Sequence, residues 1–423
     1  MILLRSLRGV RYLVVVWLIL GNAALSSFGE PPVWPQWRGP TRDSHITGPE
    51  WPSTLKGDAL QRLWRVGLGP GYSGPVVAAD RIFVVETKDK EREIVRALDR
   101  KNGKELWRAE WEASITVPAY ARGNGEWVKA TPAYDGDALY VPGMRDVLVC
   151  LDASTGKERW RIDFVQRYKT PIPPYGFVCS PLVDGDAVYV QAAAALVKLD
   201  RKTGRVRWRV LEYKSSPNGT AVSSPVMATL AGKRQLVVQH PKQLVGVDPD
   251  SGEVLWSETV PAFRSINIIT PTIYKDSVLT SAFGGRTFLV TIAKEGDHFT
   301  ATAAWTNKAQ GYMSSPVIVG GHAYMHLRNQ RVTCLDLKTG EEAWTTEKTF
   351  GKYWSMVVTK DRVLALDQSG TLYLFRATPE QFDLIDEREI SSDETWGHLA
   401  VCGDELYVRE LNAIAVYRWR SRR

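Results

Sequence analysis

The sequence contains few residues of the kinds that build metal and nucleophilic sites. It has six histidines and four cysteines among 423 residues. The cysteines match no zinc-binding spacing and no two are adjacent: they are Cys150, Cys179, Cys334 and Cys402. His322 and His326 would face the same side of a strand, but no third ligand accompanies them. The sequence therefore predicts no metal site.

Two further features are lacking: clusters of like charge and an apolar run that could span a bilayer. The net charge is +7, and the basic residues are scattered, which argues against nucleic-acid binding. The apolar run at residues 12–20 is too short for a transmembrane helix. It follows three arginines and precedes small residues, which is the layout of a signal peptide.

We therefore predict a signal peptide at residues 1–27, with an uncleaved anchor as the alternative. No cysteine near this segment could carry a lipid. The mature chain is then expected to be periplasmic or secreted and to have no transmembrane span. Residues 28–59 form an N-terminal extension, and residues 60–420 a single domain.

What the sequence does contain is a repeat in which Asp is followed by Gly four residues on and by Trp four residues later. The five copies are Asp99, Gly103 and Trp107; Asp152, Gly156 and Trp160; Asp200, Gly204 and Trp208; Asp248, Gly252 and Trp256; and Asp336, Gly340 and Trp344. The Asp can accept hydrogen bonds from turn amides, and Gly closes the turn at positive φ. The Trp on the next strand can bury a large area against the neighbouring repeat.

A small residue followed by Pro opens an apolar strand before each of these hairpins, as at Ser180-Pro181 and Ser224-Pro225. Each unit then has four strands in about 40–50 residues, which is typical of a propeller blade. Seven such units can be counted, and residues 395–419 supply only three strands of an eighth. The isolated strand at residues 63–66 would complete it and remove two exposed edges. The prediction is an all-β, eight-bladed β-propeller closed by its N-terminal strand.

This repeat resembles the tryptophan-docking repeat of the quinoprotein, or PQQ-like, propeller superfamily, over residues 60–420. The segment at residues 34–40 (WPQWRGP) is also similar to the opening of exported PQQ-like proteins. The resemblance implies one of two functions. Some members are periplasmic dehydrogenases that hold pyrroloquinoline quinone and calcium in the axial funnel. Others are non-catalytic, including a subunit of the outer-membrane β-barrel assembly machinery.

The dehydrogenase pattern is incomplete in this chain. It lacks the adjacent cysteine pair common in these enzymes, and the predicted mouth offers mainly Asp393 and Glu394, whereas calcium takes six to eight oxygens. We therefore interpret the chain as a non-catalytic binding or scaffolding protein of the cell envelope, monomeric and without a cofactor. A dehydrogenase that depends on pyrroloquinoline quinone with calcium is the alternative.

Aromatic and basic residues dominate the loops that would surround the axial opening. The candidate binding residues are Tyr120, Arg122, Trp127, Lys129, Arg167, Tyr175, Tyr312, Trp354, Trp396 and His398. They would suit an envelope protein or a polymer as partner; the alternative is that these side chains pack on the blades beneath them. Ser180, Ser224 and Ser315 are expected to bind backbone groups rather than act as nucleophiles.

Overall fold

The computed structural model describes residues 31–48, 51–213 and 221–420; the predicted signal peptide lies outside them. In these residues eight antiparallel sheets of four strands each form an eight-bladed β-propeller. In at least four of the eight neighbouring pairs of sheets the first strands contact each other, which places the first strands around the propeller axis. None of the helices in these ranges is long and apolar enough to cross a membrane.

The strands follow the chain blade by blade. β1 (Leu60–Gly67) precedes the first complete blade, which contains β2 (Val76–Val77), β3 (Arg81–Lys88), β4 (Arg92–Asp99) and β5 (Glu105–Glu112). The second contains β6 (Ala133–Tyr134), β7 (Ala138–Gly143), β8 (Val147–Asp152) and β9 (Glu158–Asp163). The third contains β10 (Leu182–Asp184), β11 (Ala187–Ala192), β12 (Ala195–Asp200) and β13 (Val206–Val210). The fourth contains β14 (Val226–Leu230), β15 (Lys233–Gln239), β16 (Gln243–Val247) and β17 (Val254–Thr259).

The remaining blades follow the same order. The fifth contains β18 (Thr272–Tyr274), β19 (Ser277–Ser281), β20 (Thr287–Glu295) and β21 (His298–Asn307). The sixth contains β22 (Val317–Val319), β23 (His322–His326), β24 (Val332–Asp336) and β25 (Glu342–Thr345). The seventh contains β26 (Trp354–Thr359), β27 (Arg362–Asp367), β28 (Thr371–Arg376) and β29 (Asp383–Glu389). The eighth contains β30 (Ala400–Cys402), β31 (Glu405–Glu410) and β32 (Ala413–Trp419). The described residues also contain one helix, α1 (Phe164–Tyr168), and three 3₁₀ turns, of which Gly57–Ala59 precedes β1 and Arg122–Asn124 and Phe263–Ser265 lie between blades.

β1 completes the eighth blade. It pairs antiparallel with β32, from Leu60 opposite Trp419 to Gly67 opposite Ala413, in the sheet order β1-β32-β31-β30. The guanidinium of Arg65 lies 2.6 Å from the carboxylate of Glu410, which is almost fully buried. The outer strand of the last blade is therefore supplied by the segment that the sequence assigns to it.

The repeated Asp, Gly and Trp residues connect neighbouring blades. Asp152 accepts hydrogen bonds from the amides of Ser154 and Thr155, and Gly156 has φ +74°. The indole of Trp107 covers this glycine and donates to the carbonyl oxygen of Ala153 at 3.1 Å. The same contact is made by Trp64 on Gly103, Trp160 on Gly204 and Trp305 on Gly340. Trp64 lies on β1, so this contact also joins the last blade to the first.

Contacts around the axis are made by hydroxyl groups at the starts of the first strands. Thr131 donates its amide to Ser180 Oγ, Ser180 donates its own to Ser224 Oγ, and Thr270 donates to Ser315 Oγ, at 2.9–3.1 Å. Each bond joins one blade to the next. The prediction that these serines satisfy backbone groups is confirmed.

The four cysteines lie in different blades, as the repeat predicts. All are buried and free. Burial raises the pKa of each thiol to about 12, so they are small apolar core residues rather than reactive groups.

Candidate functional site

Residues 31–48 of the N-terminal extension lie on the axis of the propeller, and we call them the axial plug. Trp34 pairs with Val77 of β2 through two backbone hydrogen bonds of 2.8 and 2.9 Å. The carbonyl oxygen of Pro35 accepts the amide of Tyr134 of β6 at 2.8 Å. At its other end, Ile46 donates its amide to Val358 of β26 at 2.9 Å. The plug therefore contacts the first strands of the first, second and seventh blades.

Two arginines in the plug carry buried positive charge. Arg38 donates to the carbonyl oxygen of Pro316 at 2.6 Å and to Ser44 Oγ at 3.0 Å. Arg42 donates to the carbonyl oxygens of Pro181 and Ser180 at 2.8 and 3.1 Å. Burial lowers the pKa of both guanidinium groups to about 10, so they are charged at neutral pH. In the described residues neither forms a salt bridge.

Trp37 of the plug forms part of the wall of a pocket, with its indole N–H 3.0 Å from Thr270 Oγ1. The cavity measures about 320 Å³. Its aromatic lining residues are Trp37, Tyr72, Tyr120, Tyr175, Phe263, Phe283, Tyr312, Tyr353 and Trp396, and its polar ones are Asn124, Lys129, Ser180, Ser224, Arg264 and Thr270. Among the described lining residues there is no Asp or Glu. We call this cavity the axial pocket.

Each of the eight blades contributes one residue to the axial pocket from the same sequence position. This position lies two residues before the small residue of each small residue–Pro pair, such as Ser180 or Ser224, or before its equivalents Ser355 and His398. The eight residues are Tyr72, Lys129, Val178, Val222, Ile268, Met313, Tyr353 and Trp396. Lys129 is the only cation in this ring of eight.

The aromatic rings form two packed groups around the opening. Trp396 is stacked between Tyr72 and Tyr353, with ring centroids 4.9 and 5.8 Å apart. The second group is Phe283 stacked on Tyr312, with ring centroids 5.1 Å apart. The carboxylate of Glu394 accepts the Tyr72 hydroxyl at 2.9 Å. Glu394, which the sequence places at the mouth, is therefore already bound by Tyr72, a side chain that lines the pocket.

Five of the ten candidate residues line the axial pocket: Tyr120, Lys129, Tyr175, Tyr312 and Trp396. Trp127 packs edge-on against Tyr72 at 5.3 Å. Arg122 lies 3.7 Å from the carboxylate of Glu126, and Arg167 lies over the ring of Tyr168. These three side chains are near the pocket loops but are not among its lining residues.

Trp354 and His398 are buried and do not belong to the loop surface. The prediction that placed them there was wrong. Trp354 begins β26 and is 1% exposed, packed on Phe350 at 4.4 Å. Because side chains alternate along a strand, its neighbour Tyr353 faces the pocket instead. His398 is 6% exposed and lies against Trp37 of the plug at 5.0 Å. Burial lowers the pKa of His398 to about 3, so it is a neutral packing residue.

Sequence reasoning missed Trp37, Tyr72, Phe263 and Phe283 as pocket residues. The signal that could have found Tyr72 is the shared position before each first strand, which it occupies. Trp37 carries no such signal, since the plug does not belong to the repeat.

Two buried carboxyl groups support the turn beneath one wall of the pocket. Glu93 accepts the amide of Met144 at 2.5 Å, and Asp146 accepts the amide of Ala193 at 2.9 Å. Met144 packs in the same cluster as Tyr175. Burial raises the pKa of both carboxyl groups to about 7.

The raised pKa of Asp146 predicts how stability depends on pH. Between the usual carboxyl range and pH 7 the folded state binds more protons than the unfolded state, so this residue's contribution falls as pH rises. Asp146→Asn is therefore expected to stabilise the protein by about 1–2 kcal/mol at pH 8 and by much less at pH 4.5. Asn keeps an acceptor and suits the φ of +60° here. Urea unfolding of both proteins at the two pH values measures the difference; a pH-independent difference would contradict the assignment.

Comparison with known proteins assigns the family. The model of the family described as "Outer membrane protein assembly factor BamB" matches residues 90–346, which is more than half of the chain. The chain belongs to this family. BamB of Moranella endobia (strain PCIT) is 21% identical over 350 residues, covering 78% of this chain and 83% of that protein.

Solved structures share the fold. The crystal structure of BamB from Moraxella catarrhalis matches with a TM-score of 0.63 at 15% identity, covering 86% of this chain and 99% of that one. A europium-containing methanol dehydrogenase matches with a TM-score of 0.66 at 13% identity, covering 92% and 98%. The fold therefore occurs both in a BamB protein and in a dehydrogenase, so the donor groups of the site must decide between them.

The axial pocket does not fit a calcium-bound quinone. Calcium requires several carboxylate or carbonyl oxygens around one point, and the described lining has no carboxylate. No group of three or more His, Cys, Asp and Glu residues suited to a metal occurs in the described ranges. The buried cations nearby would also repel a divalent metal ion.

Proposed function

We propose that this chain is a non-catalytic binding scaffold of the cell envelope that holds an envelope protein on the loop face around the axial pocket. The observation that supports this proposal most directly is the chemistry of the loop face. Aromatic and basic side chains surround the pocket, and its described lining residues include no Asp or Glu. Membership of the BamB family supports a role in the assembly of outer membrane proteins. The predicted signal peptide at residues 1–27 supports export to the periplasm or beyond.

The rim of the pocket has the composition of a protein interface. Tyr120 is 47% exposed and Phe263 is 54% exposed, and Arg122 and Arg167 lie on neighbouring loop segments. Exposed aromatic residues and arginine supply most of the binding energy in typical interfaces. The positive charge of Arg122 and Arg167 would also accelerate association with an acidic partner.

A dehydrogenase is the second candidate, favoured by the fold that the chain shares with the europium-containing enzyme. The absence of carboxylates from the described lining speaks against it. Reduction of an artificial dye after incubation with pyrroloquinoline quinone and calcium, with a small alcohol as substrate, would favour this candidate over the scaffold.

The proposal is tested by replacing the rim residues. Tyr120→Ala, Phe263→Ala, Arg122→Ala and Arg167→Ala together should lower the yield of cross-linked envelope proteins at least about tenfold, because a few such anchors dominate an interface. The matched control is Lys157→Ala with Lys202→Ala, in turns at the opposite ends of the blades. Unchanged cross-linking by the rim variant, with its fold intact by circular dichroism, would refute the proposed surface.

A further inference from the structure

The axial pocket also has the properties of a small-molecule site, separate from the protein surface around it. We propose that it binds a small aromatic carboxylate, with the ring between the aromatic walls and the carboxylate beside Lys129. A cavity of about 320 Å³ is at the lower end of the range for small-molecule sites. It can hold one ligand of this kind but not a polymer chain.

The walls favour a flat apolar body. Two stacked groups line the pocket: Tyr72, Trp396 and Tyr353, and Phe283 with Tyr312. Ring faces of this kind bind an aromatic ligand by offset or edge contacts. Trp37 of the plug adds a further ring, so the plug supplies part of the pocket wall.

Lys129 supplies the recognition of charge. Its Nζ donates to the carbonyl oxygens of Gly125 and Trp127 at 3.0 and 3.1 Å, which leaves the third donor of its ammonium group for a ligand. The neighbouring acid, Glu126, is 2.6 Å from Lys90 and so is already paired. Burial lowers the pKa of Lys129 to about 7, and an entering anion would favour its charged form.

Further cations lie around the pocket, and Glu394, an acid bound to a lining side chain, already accepts hydrogen bonds from Tyr72 and Gln368. Arg264 lines the pocket, and Lys352 lies 5.5 Å from the Trp396 ring. Beneath it, Arg42 donates to the carbonyl oxygen of Ser180, itself a lining residue. Because the described lining has no carboxylate, these cations create a positive electrostatic potential in the pocket. A positive potential favours binding of an anion over a cation. A neutral sugar fits less well, because Asn124 is the only amide side chain among the lining residues described.

The test compares a charged ligand with its neutral isostere on the full mature chain. 2-Naphthoate and 2-naphthamide are titrated at pH 7 in buffer containing EDTA, with tryptophan fluorescence and calorimetry as readouts. Naphthoate should bind at least about tenfold more tightly than naphthamide. Lys129→Met should remove this preference while leaving naphthamide binding unchanged, and Lys157→Met should have no effect. If Lys129→Met does not fold, the wild-type comparison alone decides.

Three outcomes would overturn the proposal: equal affinity for the two ligands, binding that requires calcium, or preference for neutral saccharides. A separate variant, Arg122→Ala with Arg167→Ala, changes side chains outside the pocket lining. It should weaken partner cross-linking and retain naphthoate binding. Unchanged cross-linking by this variant would count against the protein-binding surface alone, and equal affinity of the parent protein for the two naphthalene ligands would count against the pocket alone.

Discussion

Deletion of β1 (Leu60–Gly67) is expected to abolish the folded monomer. The deletion exposes the edge of β32 along its whole pairing, and an unpaired edge is a template for aggregation. It removes the partly buried indole of Trp64 from Gly103, which should cost about 2 kcal/mol of apolar burial. It also leaves the carboxylate of Glu410, 3% exposed, without Arg65. Because the Arg65 side chain is 42% exposed, loss of this partner should cost about 1–3 kcal/mol more. Together with the exposed edge, these losses are a large fraction of the stability of a typical domain.

Size-exclusion chromatography and thermal unfolding of the deletion variant measure this effect. Leu63→Ser is the matched control, because Leu63 lies on the same strand with an exposed side chain and its replacement leaves the backbone pairing intact. The control should remain monomeric with a melting temperature near that of the parent. A deletion variant that stays monomeric with an unchanged melting temperature would disprove the closing role of β1.

The blades could be predicted because their signals are local. The contacts of Asp152, Gly156 and Trp160 lie within one hairpin and its neighbour. Their spacing is therefore visible in the sequence. The closing strand could be predicted by counting, since the last repeat lacked one strand. The axial plug could not be predicted, because Arg38 and Arg42 bind backbone carbonyl oxygens. Any residue can supply a carbonyl oxygen, so such contacts leave no pattern to read.

The site was predicted as a face but not as a pocket. Loop position identified Tyr120 and Tyr175, but it could not decide between Tyr353 and Trp354. These two residues are adjacent, and the alternation along β26 sends one into the pocket and the other into the blade. A single shift in register therefore exchanges a binding residue for a core residue.

Gly204→Ala is expected to destabilise the protein far more than Gly185→Ala, although both glycines have positive φ (+69° and +55°). A Cβ at Gly185 would meet no atom within 4 Å, whereas one at Gly204 would lie 2.6 Å from the Trp160 ring. Gly185→Ala should therefore cost only the left-handed backbone strain, about 1–2 kcal/mol. Gly204→Ala should cost about 1–3 kcal/mol in addition, because the ring must move. Denaturant unfolding measures both values.

Trp160→Ala isolates the contact between this ring and its glycine. Alone, it should cost about 3–5 kcal/mol, since it removes a buried indole and its hydrogen bond to the carbonyl oxygen of Arg201. With the ring gone, Gly204→Ala should cost no more than Gly185→Ala does, because only backbone strain is left. The two substitutions would then be less than additive, as expected for residues in direct contact. Full additivity would mean that Gly204 is required for the turn alone and not for docking of the neighbouring blade.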